Sequence, residues 1–190
     1  ILDAPCGFGR HSIALARKGF RLTAIDLAKE YIQSLQQTAK KNNLPIDCKQ
    51  GDINEMTFGE NYKAVICLGN SFSYFDYNGM TNFISKVSNS LTDKGIFIAN
   101  TSMLAENIPN MQEREWMTLK DITLMVENRY EFYPSRYETD FIFIKEGEKT
   151  KRTAIHYVYT HAEIERMFKQ AGMHIIETCA STSGEPFHYR

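Results

Sequence analysis

The 190-residue chain balances 22 Lys and Arg against 23 Asp and Glu, for a formal net charge of -1, with 43% hydrophobic and 24% charged residues. That is enough chain to bury one real core, and the balance gives no electrostatic reason to expect nucleic acid or an anionic membrane as the main partner. No apolar run in the sequence approaches the roughly 20 residues of a membrane helix. Cys6, Cys48, Cys67 and Cys179 lie far apart in apolar, strand-like runs without metal-ligand spacing. They are expected to be reduced thiols in a cytoplasmic protein that holds no metal.

Strands and helices alternate through the first half of the chain. ILDA at 1–4 reads as a short strand and RHSIALARKG at 10–19 as a helix ending at Gly19. RLTAID at 21–26 is a second strand, followed by a helix over 28–43 with Ile32, Leu35 and Ala39 on one face. Strands three and four fall at 46–52 and 63–69, and a helix over 79–95 aligns Met80, Phe83, Ile84, Val87 and Leu91. A fifth strand is expected at 95–103. Short apolar strands separated by helices predict an α/β fold, a doubly wound Rossmann-like sheet of mostly parallel strands.

The rhythm changes over 116–160. Three alternating runs, 121–133, 136–147 and 150–160, follow without helices and are divided by Pro134-Ser135 and Gly147. This segment holds nine of the chain's 23 aromatic residues. It reads as an antiparallel β-insert within a single domain spanning 1–190, stacked at the carboxyl edge of the sheet. Its aromatic face can serve packing, a homodimer contact or a substrate lid. A helix follows at 160–172, opened by the capping pair Thr160 and Glu163 and closed by Gly172, and HIIETCA at 174–180 reads as a sixth strand.

In such a sheet, ligands sit beyond the carboxyl ends of the strands where the strand order reverses. The loop APCGFG at 4–9 leaves the first strand there and enters a helix. Gly7 and Gly9 lack the Cβ atoms that would hold a ligand off the backbone, and a side chain at Gly9 is expected to exclude the ligand while the fold survives. Asp26 ends the second strand 19 residues after Gly7, where a carboxylate can accept both hydroxyls of an adenosine ribose. Standing at the rim, it is expected to add little to unliganded stability. Asp3 ends the first strand, close to where a dinucleotide pyrophosphate would be repelled and a sulfonium and ammonium would be attracted. Asp52, after the third strand, is placed to bond an adenine amino group, with Ile53 packing on the base.

These motifs resemble the class I S-adenosylmethionine-dependent methyltransferases, of the small bacterial type with a β-insert before the last helix. LDAPCGFGR is similar to that family's first motif, AIDLAKEYI to its acidic second-strand motif and GDINEM to its adenine motif. ICLGNSFSYF at 66–75 resembles the segment after the fourth strand, and YVYTHAEIERMFKQAG the late helix. The resemblance implies S-adenosyl-L-methionine as cofactor, with Asp3, Ala4, Gly7, Gly9, Asp26, Leu27, Asp52, Ile53 and Leu68 lining its site. Pro5 departs from the pattern, standing where the family usually has the first glycine of a triple. The family's closing antiparallel strand has no counterpart before Arg190, and Ile1 opens the chain without a lead-in, so both ends are expected to be clipped.

The reaction implied is transfer of a methyl group to an oxygen, nitrogen or carbon of a small-molecule substrate. Because the donor is already activated, orientation matters most and a general base is optional. Tyr74, Asp76, His156, Tyr159 and His188 are polar enough to assist, and none is assigned a catalytic role. GNSF at 69–72 lacks the prolines of enzymes that methylate nucleobase amino groups, which agrees with the near-neutral charge. A methyltransferase acting on tRNA or protein, a dinucleotide-dependent oxidoreductase and a non-catalytic cofactor-binding module remain as alternatives.

Overall fold

The computed structural model describes residues 1–187. Eight elements alternate as the hydrophobic pattern predicts: β1 (Leu2–Asp3), α1 (Arg10–Arg17), β2 (Leu22–Asp26), α2 (Lys29–Lys41), β3 (Ile46–Gln50), β4 (Tyr62–Cys67), α3 (Tyr77–Ser90) and β5 (Leu91–Ala99). The strands form one parallel sheet in the order β3-β2-β1-β4-β5. β1 is short but central, pairing Asp3 with Ala24 on one side and Ile66 on the other. The order reverses between β1 and β4, which puts a crevice at the carboxyl ends of these two strands.

Alternation along the strands sends apolar side chains to both faces. On one face Ile32 and Leu35 of α2 pack with Cys6 and Ala24. On the other, Leu2, Ile25, Val65 and Cys67 meet Phe83, Ile84 and Val87 of α3, and Ile164 and Met167 of α4 (His161–Gln170). α3 opens with the Asp76 carboxylate accepting from the Gly79 amide at 2.8 Å, and α4 with the predicted Thr160–Glu163 capping box.

Between β5 and α4 stands a second, antiparallel sheet in the order β6-β7-β8-β9. Its strands are β6 (Arg114–Leu119), β7 (Ile122–Phe132), β8 (Ser135–Lys145) and β9 (Glu148–Tyr157). The predicted meander is therefore present with one strand more than the three runs. β6 carries no burial alternation to reveal it, since every residue in it is exposed. Two-residue turns join the strands, with positive φ at Lys120, Glu146 and Gly147.

Three expectations are corrected. α3 ends at Ser90 rather than running to Gly95, because Leu91 turns extended and pairs with Tyr62. The ladder then skips to Ala64–Ile96, so residues 92–95 bulge out, and β5 ends at Ala99. Residues 174–180 form no sixth strand. The segment makes an isolated bridge from Cys179 to Pro186, and Ala180 donates to Glu185 O, closing a local turn instead of a ladder on β5. Pro186 has no N–H with which to extend that pairing. Cys6 accordingly lies in a loop and Cys179 on the exposed turn, not in strands, and all four cysteines are free thiols.

Candidate cofactor site

The loop after β1 is held in place by the backbone and by one carboxylate. Cys6 N donates to Ile25 O at 2.8 Å, and Gly9 N to Cys6 O at 2.9 Å. Asp26, at the end of β2, accepts from Gly7 N through Oδ2 at 2.7 Å and from Ala28 N through Oδ1 at 2.9 Å. Each carboxylate oxygen has a second lone pair, so the residue still has capacity for ribose hydroxyls. It is nonetheless buried and serves as a brace between two loops, which corrects its reading as a rim residue of no structural weight.

The two glycines have different functions. A Cβ at Gly7 (φ +55°) would meet nothing within 4 Å, so the backbone here faces open space. A Cβ at Gly9 (φ +75°) would lie 2.4 Å from Leu35 Cδ1. Gly9 therefore lets α1 and α2 approach each other. The expectation that a side chain there would exclude ligand and spare the fold is corrected, because the added atoms enter the protein.

Asp3 is 1% exposed. Its Oδ2 accepts from Ser12 Oγ at 2.6 Å, while Oδ1 is buried without a partner. Burial pushes its carboxyl up to about 6, against the Ser12 hydrogen bonds, and the nearby Asp26 charge adds to the rise. A buried acceptor without a donor is costly and calls for an explanation. A cationic ligand group would supply one.

The remaining predicted residues flank this loop. Ala4 is fully buried and donates its amide to Ile66 O, holding β1 against β4. Leu27 is 65% exposed, an apolar surface beside Asp26. Asp52 is exposed and its Oδ1 accepts from Asn54 N at 2.8 Å, leaving Oδ2 available. Ile53 belongs to the main core and is 6% exposed, which leaves little of its side chain for a base. Leu68 is half-buried just beyond β4. Gly69 N donates to Asn100 Oδ1 at 2.8 Å and Ser102 N to Asn70 Oδ1 at 2.7 Å, so the segment after β5 fixes the loop after β4. The sequence reading missed this lock. Asn100 directly after β5 and Asn70 three residues after β4 were the available signal.

These features fit an adenosine-bearing cation: open backbone at Gly7, spare carboxylate acceptors at Asp26 and Asp52, the apolar Leu27, and an unpartnered buried acid at Asp3. S-adenosylmethionine, when bound, would supply an activated methyl group on a sulfonium.

Beside this loop cluster, a cleft of about 360 Å³ separates the loop after β4 from the inner face of the insert. Gly69, Asn70 and Tyr74 line one wall, Val126, Asn128, Thr139, Phe141, Ala154 and His156 the other, and Met103 and Met111 close it. His156 is 6% exposed and its ring lies 5.2 Å from that of Tyr74. Its Nδ1 is buried without a hydrogen bond, and burial lowers its pKa, keeping the imidazole neutral at physiological pH. Tyr159 anchors the returning chain through its hydroxyl, which donates to Phe75 O at 2.7 Å, and burial pushes that phenol up. Asp76 is engaged as the α3 cap. His188 lies outside the described residues. A larger cavity of about 520 Å³, lined by Ile1, Leu22, Ile46 and Tyr62 among others, sits at the amino ends of the strands, away from this crevice.

Among the described residues no three His, Cys, Asp or Glu side chains group as metal ligands, and no helix is long and apolar enough to cross a membrane.

Comparison with known proteins agrees with this geometry. Residues 1–95, half of the chain, match the family described as "Methyltransferase domain". A ubiquinone biosynthesis O-methyltransferase of Rickettsia akari (strain Hartford) is 40% identical over 68 residues, which cover 36% of this chain and 27% of that protein. This chain thus matches little more than a quarter of that relative's length. Among solved structures, an S-adenosylmethionine-dependent methyltransferase from Clostridium acetobutylicum ATCC 824 superposes with a TM-score of 0.85 at 18% identity, over 98% of this chain and 78% of that one. The S-adenosylmethionine-bound amino pentose methyltransferase CalS10 from Micromonospora echinaspora superposes with a TM-score of 0.78 at 16% identity, over 97% and 79%. The chain belongs to the methyltransferase-domain family and has the fold of the class I S-adenosylmethionine-dependent methyltransferases.

Proposed function

We propose that this protein transfers the methyl group of S-adenosylmethionine to a hydroxyl or amino group of a small acceptor. The acceptor binds in the cleft between the carboxyl edge of the parallel sheet and the inner face of the insert. The observation that carries this reading is the composition of the cleft: among the described residues its polar side chains are Asn70, Tyr74, Asn128, Thr139 and His156, and no described carboxylate, lysine or arginine lines it. Neutral donors and acceptors set among Met103, Met111, Val126 and Phe141 suit a compact molecule with several hydroxyl or amino groups. A phosphate-rich polymer would need cations there. The Rickettsia relative is named for O-methylation in ubiquinone biosynthesis and CalS10 as an amino pentose methyltransferase, names that both fit a small-molecule acceptor.

The protein would act mainly by orientation. Asp26 and the loop after β1 hold the nucleoside end, and the insert lays the acceptor against the methyl. His156, neutral and without a hydrogen bond of its own, takes the proton that the acceptor oxygen or nitrogen releases as its bond to carbon forms.

Two measurements test this. Calorimetric titration with S-adenosylhomocysteine and NAD side by side is expected to show binding of the first alone. S-adenosylhomocysteine release is then followed across phenols, amino sugars, bulk tRNA and a protein extract. Turnover confined to the small acceptors is expected, and turnover confined to tRNA or protein would overturn the reading.

A further inference from the structure

The polar side chains of the cleft are not equally free to meet a ligand. Partway along the insert wall, Thr139 Oγ1 donates to Asn128 Oδ1 at 2.8 Å, and Asn128 Nδ2 donates to Gln112 O at 2.8 Å. The Thr139 proton is thus spent inside the insert, and the Asn128 amide is tied at both of its ends. The end beside the parallel sheet differs. Asn70 Oδ1 accepts from Ser102 N at 2.7 Å, which fixes that amide, and its Nδ2 donates to nothing among the described residues. The Tyr74 hydroxyl and the His156 ring nitrogens likewise make no hydrogen bond among the described residues. Unspent hydrogen-bonding groups therefore gather at one end of the cleft.

At the other end the wall turns apolar and does not stop with the cleft. Val126 of β7 stands opposite Phe141 of β8, and both line the cleft. Side chains two residues along a strand share a face, so the same wall continues with Leu124 between Phe143 and Met117, and then with Ile122 beside Leu119. Met117 is 44% and Leu119 59% exposed. From Val126 to Ile122 this strip runs about 14 Å, at roughly 3.4 Å per residue. Glu115 and Arg152, on the flanking strands beside Val126 and Phe141, border it with charge. Where it leaves the cleft the strip is two strands wide, about 5 Å between them, which is room for one hydrocarbon chain and not for a second sheet.

We propose that the acceptor is an amphipathic ring compound, a phenol or arylamine with its hydroxyl or amino groups on one edge and a hydrocarbon substituent on the other. The polar edge meets Asn70, Tyr74 and His156, and the substituent leaves the cleft along Val126, Phe141, Leu124 and Phe143. A sugar carries hydroxyl groups around its whole rim and would leave some of them unpaired against this strip. The assignment rests on the reading that the acceptor occupies this cleft.

The test measures binding to the protein saturated with S-adenosylhomocysteine. Across para-methyl-, para-propyl- and para-pentylphenol, calorimetry is expected to show affinity rising about two- to fourfold per methylene. Glucosamine is expected to bind about tenfold more weakly than the propyl compound. In Met117→Glu, a change at an exposed position, the pentyl-to-methyl affinity ratio is expected to fall about fivefold. A flat alkyl series, tighter binding of glucosamine or an unchanged ratio in Met117→Glu would overturn the assignment. So would sedimentation that shows a dimer dissociated by Met117→Glu, since a second copy would then cover the strip. Turnover of amino sugars beside a flat alkyl series would overturn this inference and leave methyl transfer standing. Chain-dependent binding with no turnover of any small acceptor would overturn the reaction and leave the binding assignment standing.

Discussion

The Asp26 carboxylate joins two loops: Oδ2 takes the Gly7 amide at 2.7 Å and Oδ1 the Ala28 amide at 2.9 Å. One side chain thereby shapes the loop after β1 and, in the function proposed above, would also accept from the ribose. Hydrogen bonds to a charged group contribute about 1.5–3 kcal/mol each. Asp26→Ala is accordingly expected to lower unliganded stability by about 2–4 kcal/mol and to weaken S-adenosylhomocysteine binding at least 30-fold. Asp26→Asn, which keeps one acceptor, loses less of both. Urea unfolding and calorimetry on the same variants check this, and an unliganded stability equal to wild type would show that the brace carries no weight.

Gly7 and Gly9 separate the two functions of the loop. Gly9→Val drives its side chain into Leu35, 2.4 Å from the new Cβ, and is expected to destabilise the fold by about 3 kcal/mol or more. Gly7→Val meets open space and is expected to lose about 1–2 kcal/mol from its positive φ, while S-adenosylhomocysteine binding falls steeply. Thermal melts and titrations on the pair distinguish them. Equal stability losses would contradict the assignment.

Asp3 predicts a pH dependence of definite sign. Its carboxyl is near 6 in the folded protein against 3.8 as the ordinary value, so the folded state binds more protons between those limits. The contribution of this group to stability therefore falls as pH rises from about 4 to 6, by roughly 3 kcal/mol in total. Asp3→Asn abolishes that component. The difference in unfolding free energy between wild type and variant, measured at pH 4.5, 5.5 and 7, is expected to shift steadily in favour of the variant. A constant difference would show that Asp3 is not titrating in this range.

His156 opposes stability and serves the cleft. Its Nδ1 lacks a partner, so His156→Phe, which preserves a ring against Tyr74, is expected to leave unliganded stability unchanged or raise it by about 1 kcal/mol. Methyl transfer to the acceptor identified by the panel falls about 10²- to 10⁴-fold. In the wild type kcat/KM is lost as pH falls through a value below 6.5, because burial lowers the pKa and the imidazolium cannot accept a proton. Full activity in His156→Phe would remove it from the reaction.

Much of the architecture was legible because it follows from short-range chemistry. The stripe of Ile32, Leu35 and Ala39, the Thr160–Glu163 cap and the turn at Glu146-Gly147 are each set within a few residues. Leu91 illustrates the limit. It continues the helical stripe of Met80, Phe83, Ile84 and Val87, yet begins a strand because Tyr62, far away in sequence, offers it a ladder. The segment 174–180 has strand composition and no such ladder, so the same alternation leaves Ile176 exposed.

The sequence by itself determined the alternating parallel architecture, the insert and the glycine loop between β1 and α1, since periodicity, caps and strand-end glycines and acids act through neighbours along the chain. Only the tertiary structure decided what each loop residue does. Gly9 lets α2 approach because Leu35 lies behind it, whereas Gly7 faces open space. His156 enters the cleft because Tyr159 and the insert bring β9 against the loop after β4. Those contacts join residues separated by tens of positions, and chain closure over such distances is set by the packing of the whole core rather than by any local preference.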